Sequence, residues 1–195
     1  ELEHGSINKG EWVVMRTDWD SRGHDQDLFL NADENGPHSP GPSVDCLEYL
    51  LSKDIVVSTH IVDVADREQV YAWAENTIKD HGHVDCIINN AGVAFTASIE
   101  EIRYDDFNWV FNVVFYGVFY GTKAFLPLLK QLPYAHIVNI SSVNGFIANP
   151  RNGAYACAKH AVKALNQTLQ QELRNTSVNI TSVHPGGVKT NIARN

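Results

Sequence analysis

From residue 54 onward, short apolar runs alternate with longer segments of helical period. Residues 55–62 predict a strand, 66–81 a helix, and 84–88 a short apolar strand entered through a Gly-His turn. A long helix is expected from about Tyr104 to Leu129, apolar and aromatic around most of its surface. It is followed by a strand at 136–140, a helix at 153–174 and a strand at 178–183. Strands separated by helices of this length imply parallel βαβ units in an α/β fold, with helices on both faces of the sheet.

The first quarter reads differently. Residues 11–18 predict a strand and 43–53 a helix with Ser43 as its cap, but 19–43 are rich in Asp, Asn, Gly, Ser and Pro and carry little periodicity. A structureless stretch of that length is unusual inside a compact domain. Charge marks the same division. The chain of 195 residues has a formal charge of −8, and the first 55 residues hold twelve acids against four bases, so the remainder is balanced. Such an offset marks either an acidic tail or a join between two sequences of different origin. No basic stripe points to nucleic acid. No apolar run reaches the roughly 18 residues of a membrane span, and no signal pattern opens the chain, so a cytoplasmic protein is expected. Cys46, Cys86 and Cys157 are odd in number and far apart, which argues against disulfides or a zinc ribbon.

Three features of the second part carry chemistry. Asn89-Asn90-Ala91-Gly92 follows directly on an apolar strand, and small residues at a strand's carboxyl end let a ligand approach the backbone. Tyr155-Ala-Cys-Ala-Lys159 places a phenol and an ammonium on one helical face. A tyrosine whose ordinary pKa is about 10 exchanges a proton near neutrality only if a cation stabilises its phenolate. Ser142, thirteen residues before Tyr155 and just past a strand, supplies a hydroxyl that can hold a substrate carbonyl or alcohol. Each feature alone is more often structural than catalytic. Together, in this order within an alternating α/β pattern, they point to a proton-transfer site.

With these motifs, and with Asp63-Val64 after a strand and Pro185-Gly186-Gly187-Val188-Lys189-Thr190 near the end, residues 57–195 resemble the short-chain dehydrogenase/reductase family. The resemblance implies a Rossmann-like sheet and hydride transfer between NAD or NADP and a small alcohol/carbonyl substrate. It implies Tyr155 as acid/base, Ser142 as the substrate-orienting hydroxyl, and Lys159 as the group that lowers the tyrosine's pKa and holds the nicotinamide ribose. Asp63 and Val64 would meet the adenine, Asn90, Ala91 and Gly92 would line the cofactor cleft, and Pro185, Gly186, Val188 and Thr190 would flank the nicotinamide. The sequence departs from the family in two ways. The first cofactor-binding βαβ unit is missing or replaced: no glycines before residue 60 have the G-x-G spacing that seats a pyrophosphate. The family's helix asparagine, which holds a proton-relay water, aligns with Val114, and Asn112 lies about 200° away around the helix.

Gly10 to Trp19, with Asn35 to Ser43 and the following helix, resembles the "Putative cyclase" family of metal-dependent hydrolases, which includes kynurenine-formamidase-like proteins. That family's His-x-Gly-Thr-His-x-Asp metal motif is absent. His24, Asp25, Asp27 and His38 read as solvated loop residues, so no metal site is expected. The expected organisation is a chimera: a cyclase-like strand–loop–helix fragment at 1–56 and a truncated dehydrogenase domain at 57–195. The competing readings are an inactive chimeric Rossmann-like protein and a cyclase or amidohydrolase fragment. Phe107, Trp109, Phe111, Phe115, Tyr116, Phe119 and Tyr120 exceed what one core needs, and with the resemblance they imply a homodimer or homotetramer through the 104–129 and 153–174 helices.

Overall fold

The computed structural model describes Ser58, residues 60–186 and the backbone of Ala193–Arg194. The chain divides into two units, Glu1–Ile61 and Val62–Asn195, and the described helices and strands belong to the second. The strand expected at 11–18 and the helix at 43–53 lie outside the described residues.

The first helix, α1 (Arg67–His81), starts where the sequence pattern placed it. Asp66 caps it, its carboxylate accepting from the Gln69 N–H at 3.1 Å, and the Gln69 side chain reaches back to the Asp63 N–H at 3.0 Å. Gly82 ends it at φ 81°, its N–H bonded to the Ile78 carbonyl. Of the strand expected at 55–62, Ser58 and residues 60–62 are not in a strand, and 55–57 and 59 lie outside the described residues. Alternating apolar residues make a strand only where a neighbour accepts the ladder. Here Val62 packs into the core and Val64 sits against Gly117, where an added Cβ would lie 2.9 Å from a Val64 methyl.

Strands β1 (Cys86–Asn89), β3 (Ala135–Ile140) and β4 (Val178–Val183) form a parallel sheet in the order β1-β3-β4. The register pairs Ile87 with Ile137 and Ile137 with Ile180, so these side chains share one face. A short parallel pair, β2 (Ala94–Phe95) with β5 (Ala193–Arg194), was not legible in the sequence. Two residues per strand are too few for a period to show.

The long helix exists from Tyr104 to Leu129, but not as one regular α-helix. It comprises α2 (Tyr104–Phe111), a π turn at Asn112–Tyr116 and α3 (Gly117–Leu129). The Gly117 N–H bonds to the Asn112 carbonyl five residues back. Helix α4 (Gly153–Glu172) completes the set, with Tyr155, Lys159, Val162, Asn166 and Leu169 along its buried stripe.

Side chains from α1, α3 and α4 (Val70, Ala74, Ala124, Phe125, Leu129, Leu169) bury one sheet face, which carries Ile87, Ala135, Ile137 and Val178. Among the described residues α1, α3 and α4 all cover this face. The opposite face carries half-buried His136, Val138 and Ile140 and exposed Asn179, Thr181 and Val183. A second apolar cluster joins Ala94, Val110, Val114, Ala154, Tyr155 and Ala158, and it positions the amino-terminal half of α4. No described helix is long and apolar enough to cross a membrane.

Candidate active site

The carboxyl ends of β1, β3 and β4 converge with the first turns of α4, where parallel α/β sheets bind ligands. β3 delivers Ser141 and Ser142 just past its last residue, and Ser142 caps the 3₁₀ turn Val143–Gly145, its Oγ accepting from the Asn144 N–H at 3.1 Å. Gly145 is required there: an added Cβ would lie 3.0 Å from the Lys159 carbonyl oxygen, so only a glycine lets this turn rest on α4. From α4, one helical turn apart, come Tyr155 and Lys159.

The three groups meet. The Ser142 side chain lies near enough to the Tyr155 phenol to lower its pKa, and the Lys159 ammonium lies 5.5 Å from the Tyr155 ring centroid. Lys159 is only 2% exposed, and its Nζ donates to the Ile140 carbonyl at 2.6 Å. Its own carbonyl accepts from Ser141 Oγ at 3.2 Å, tying the end of β3 to α4. Burial acts on both titratable groups. It pushes the Tyr155 phenol up, against the effect of the Ser142 side chain, and pushes the Lys159 ammonium down to about 8. Lys159 therefore sets a pH dependence of folding. Between about pH 8 and its ordinary value of 10.5 the folded chain has released a proton that the unfolded chain still holds, so stability is expected to rise there. Above about pH 10 the raised Tyr155 works the opposite way. Urea midpoints measured from pH 7 to pH 10 check this, and a flat or falling profile contradicts it.

The remaining expected site residues divide. Asn90 and Ala91 are exposed and Gly92 half-buried, directly after β1. Pro185 and Gly186 follow β4, and the Pro185 carbonyl accepts from the Val143 N–H at 3.0 Å, beside Ser142. Asp63 is exposed, and its carboxylate accepts from the Ala65 N–H at 2.9 Å in the turn before α1. Val64 is half-buried against Gly117. Val188 and Thr190 lie outside the described residues, as do His24, Asp25, Asp27 and His38. Among the described residues no cluster of three metal-ligating side chains occurs. Val114 is fully buried in the apolar cluster that holds Tyr155, whereas Asn112 is exposed on the far side of the helix. The amide expected near the lysine in the resembled family is thus replaced by a packed methyl pair.

Sequence reasoning passed over Asn139, Asn166, Ser182 and His184, which are hydrogen-bonded to one another behind the site. The one signal available was position: Asn139 follows Ala135 and Ile137 on the inward face of β3, and Asn166 lies seven residues after Lys159 on α4.

A family model described as short chain dehydrogenase matches residues 44–195. The chain belongs to the short-chain dehydrogenase family. A second family model, "Putative cyclase", matches residues 1–69. Over 141 residues the chain is 43% identical to "Putative oxidoreductase SadH" of Mycobacterium tuberculosis, covering 71% of this chain and 51% of that protein. This short-chain dehydrogenase thus spans about half the length of the curated relative it matches. A crystal structure of a Burkholderia phymatum short-chain dehydrogenase in complex with NAD superposes with a TM-score of 0.70 at 35% identity, over 74% of this chain and 52% of that one. Over 56 residues the chain is also 71% identical to isatin hydrolase of Roseibium aggregatum, 29% of this chain and 21% of that protein.

As a short-chain dehydrogenase the chain is expected to hold a nicotinamide cofactor, and the residues at the Lys159 end fit one. The buried ammonium makes one hydrogen bond among the described residues, to Ile140, which leaves two further N–H donors that ribose hydroxyls could take. The pyrophosphate end has no such counterpart, because no glycine-rich G-x-G turn occurs in the sequence.

Proposed function

We propose that this chain is an NAD(P)-dependent oxidoreductase acting on a small alcohol/carbonyl substrate in the cytoplasm, with Tyr155 as acid/base. The reading is carried by the meeting of the Ser142 hydroxyl, the Tyr155 phenol and a buried Lys159 ammonium at the carboxyl edge of a parallel sheet. When bound, the nicotinamide takes up or supplies the hydride. The Ser142 hydroxyl donates to the substrate oxygen and fixes its distance from the phenol. In the oxidising direction Tyr155 receives the alcohol proton as the C–H hydride departs; in the reducing direction its O–H gives that proton to the carbonyl oxygen. Lys159 stabilises the phenolate formed between turnovers, which burial alone disfavours. Asn90, Ala91 and Gly92 after β1, with Pro185, Gly186, Val188 and Thr190 after β4, are the proposed cofactor contacts beside Tyr155 and Lys159. Asp63 and Val64 are the proposed adenine contacts. Titration with NADH and NADPH, followed by nicotinamide fluorescence and by turnover on a panel of alcohols and ketones, tests this; no saturable binding at millimolar cofactor defeats it.

One observation favours a second reading, an inactive Rossmann-like chimera: Val114 occupies the relay position as a fully buried apolar residue. Val114→Asn discriminates. If a relay amide limits turnover, the substitution raises the rate several-fold while costing about 1–3 kcal/mol of stability, since the new amide is buried among apolar groups. An unchanged rate would show that proton transfer does without it. We further propose the join of the two family segments at 56/57, and a homo-oligomer formed through the 104–129 and 153–174 helices. The aromatic row on the first of these, with Phe115 and Phe119 stacked at 6.3 Å, supports the latter.

A further inference from the structure

A chain of side-chain hydrogen bonds crosses the core from β1 to the backbone of Ser142. Asn89 Nδ2 donates to Asn139 Oδ1 at 2.7 Å, and Asn139 Nδ2 donates to Asn166 Oδ1 at 2.6 Å. Asn166 Nδ2 donates to Ser182 Oγ at 2.9 Å. Ser182 Oγ lies 2.8 Å from His184 Nε2, and His184 Nδ1 lies 3.1 Å from the Ser142 carbonyl oxygen. Asn139 and Asn166 are essentially unexposed, at 0% and 1%, so water cannot substitute for a missing partner.

The end of the chain fixes its sense. A carbonyl oxygen can only accept, so His184 Nδ1 must carry the proton that faces Ser142. A neutral imidazole then offers a lone pair at Nε2, which takes the Ser182 O–H. Ser182 in turn accepts from Asn166, Asn166 from Asn139, and Asn139 from Asn89. Every member donates in the same direction, and each of these contacts is used once. Run the other way, a lone pair on Nδ1 would face the Ser142 carbonyl, and the last contact would be repulsive.

We propose that this chain locks His184 in its Nδ1–H tautomer, and that His184 is a positioning residue which holds Ser142 for turnover. Two backbone bonds flank the imidazole contact, Ser141 N–H to Val183 at 2.8 Å and Val143 N–H to Pro185 at 3.0 Å. Among the described residues His184 supplies the one side-chain tie between them. The Phe146 ring packs against the imidazole at 4.5 Å between centroids, tilted by 51°, with the Lys163 ammonium 4.0 Å over the Phe146 ring, so the imidazole is held by packing as well as by hydrogen bonds. Ser142 thereby receives its position from residues on β1, β3, α4 and β4 together. The effect on turnover rests on the dehydrogenase reading above; the tautomer does not.

The test uses the full chain with 15N-labelled histidine. Long-range 15N–1H correlation is expected to show His184 neutral with its proton on Nδ1, and a proton on Nε2 overturns the proposal. His184→Asn, whose amide can donate to the same carbonyl, is expected to keep kcat within about threefold. His184→Phe, which keeps the packing on Phe146 but has no donor, is expected to lose kcat about tenfold with KM and melting temperature little changed. Equal kcat in the two variants overturns the positioning role. If the unsubstituted chain shows no turnover, the dehydrogenase reading fails, and the tautomer measurement alone decides this one. The same measurement decides it if the phenylalanine variant does not fold.

Discussion

Tyr155→Phe is expected to reduce turnover about a thousandfold, a loss of about 4 kcal/mol of transition-state stabilisation, while leaving the fold intact. The substitution removes one oxygen. The ring stays in the cluster with Ala94, Val110, Val114, Ala154 and Ala158, so packing at the start of α4 is preserved. The lost group is the phenol beside Ser142, the proposed acid/base. Steady-state rates with the preferred nicotinamide, alongside circular dichroism and cofactor titration, check the expectation. Turnover within threefold of the unsubstituted chain would remove Tyr155 from the role assigned to it. Unchanged cofactor binding with lost turnover is the pattern expected of a residue that acts on the proton rather than on the ligand.

Phe125→Ala is expected to cost about 3–5 kcal/mol of folding free energy, a large part of the roughly 5–15 kcal/mol that holds a domain together. Phe125 is 1% exposed, and Trp73 of α1 meets it edge-to-face at 5.1 Å and 69°. It occupies the point where α1 and α3 press on Ile87 and Ile137, so the cavity left by truncation is bordered by three elements that cannot all close into it. Urea denaturation should show a lower midpoint with an unchanged slope. A loss under 1 kcal/mol would mean that α1 repacks freely, and that the helix is less firmly part of the core than its contacts imply. The half-buried Phe119, on the same helix, serves as the comparison and should cost clearly less when truncated.

Much of the fold was legible in order. Residues 66–81, 136–140, 153–174 and 178–183 were expected as helix, strand, helix and strand, and each element is present within one or two residues of those bounds. Those segments have strong periods and clear caps, such as Asp66 and Gly82 around α1. The exceptions have local reasons. Residues 60–62 form no ladder: His60 and Ile61 are exposed, and Val62 packs into the core instead. The π turn at Asn112–Tyr116 is invisible to periodicity, since one inserted residue in a helix that is apolar all round shifts no visible stripe. Of the candidate site, Ser142, Tyr155 and Lys159 were legible because Tyr155 and Lys159 stand four residues apart on one helix and Ser142 directly follows an apolar strand. The asparagines behind them were not, because buried amides at inward positions read as interruptions of a core until their partners are known.

The sequence by itself determined that two stretches of this chain resemble two different families, that the second alternates strand and helix, and which three side chains are candidates for moving a proton. Spacing along one element carries that information: four residues put Tyr155 and Lys159 on one face of α4 whatever surrounds them. The tertiary structure alone decided what those groups experience. Burial of Lys159 against the Ile140 carbonyl, the apolar seat of Val114 beside Tyr155, and the route from Asn89 to Ser142 all depend on residues distant in sequence meeting across β1, β3, β4 and α4. Such contacts are set by how helices settle on a sheet face, and pKa values and hydrogen-bond direction follow from that packing rather than from the order of residues.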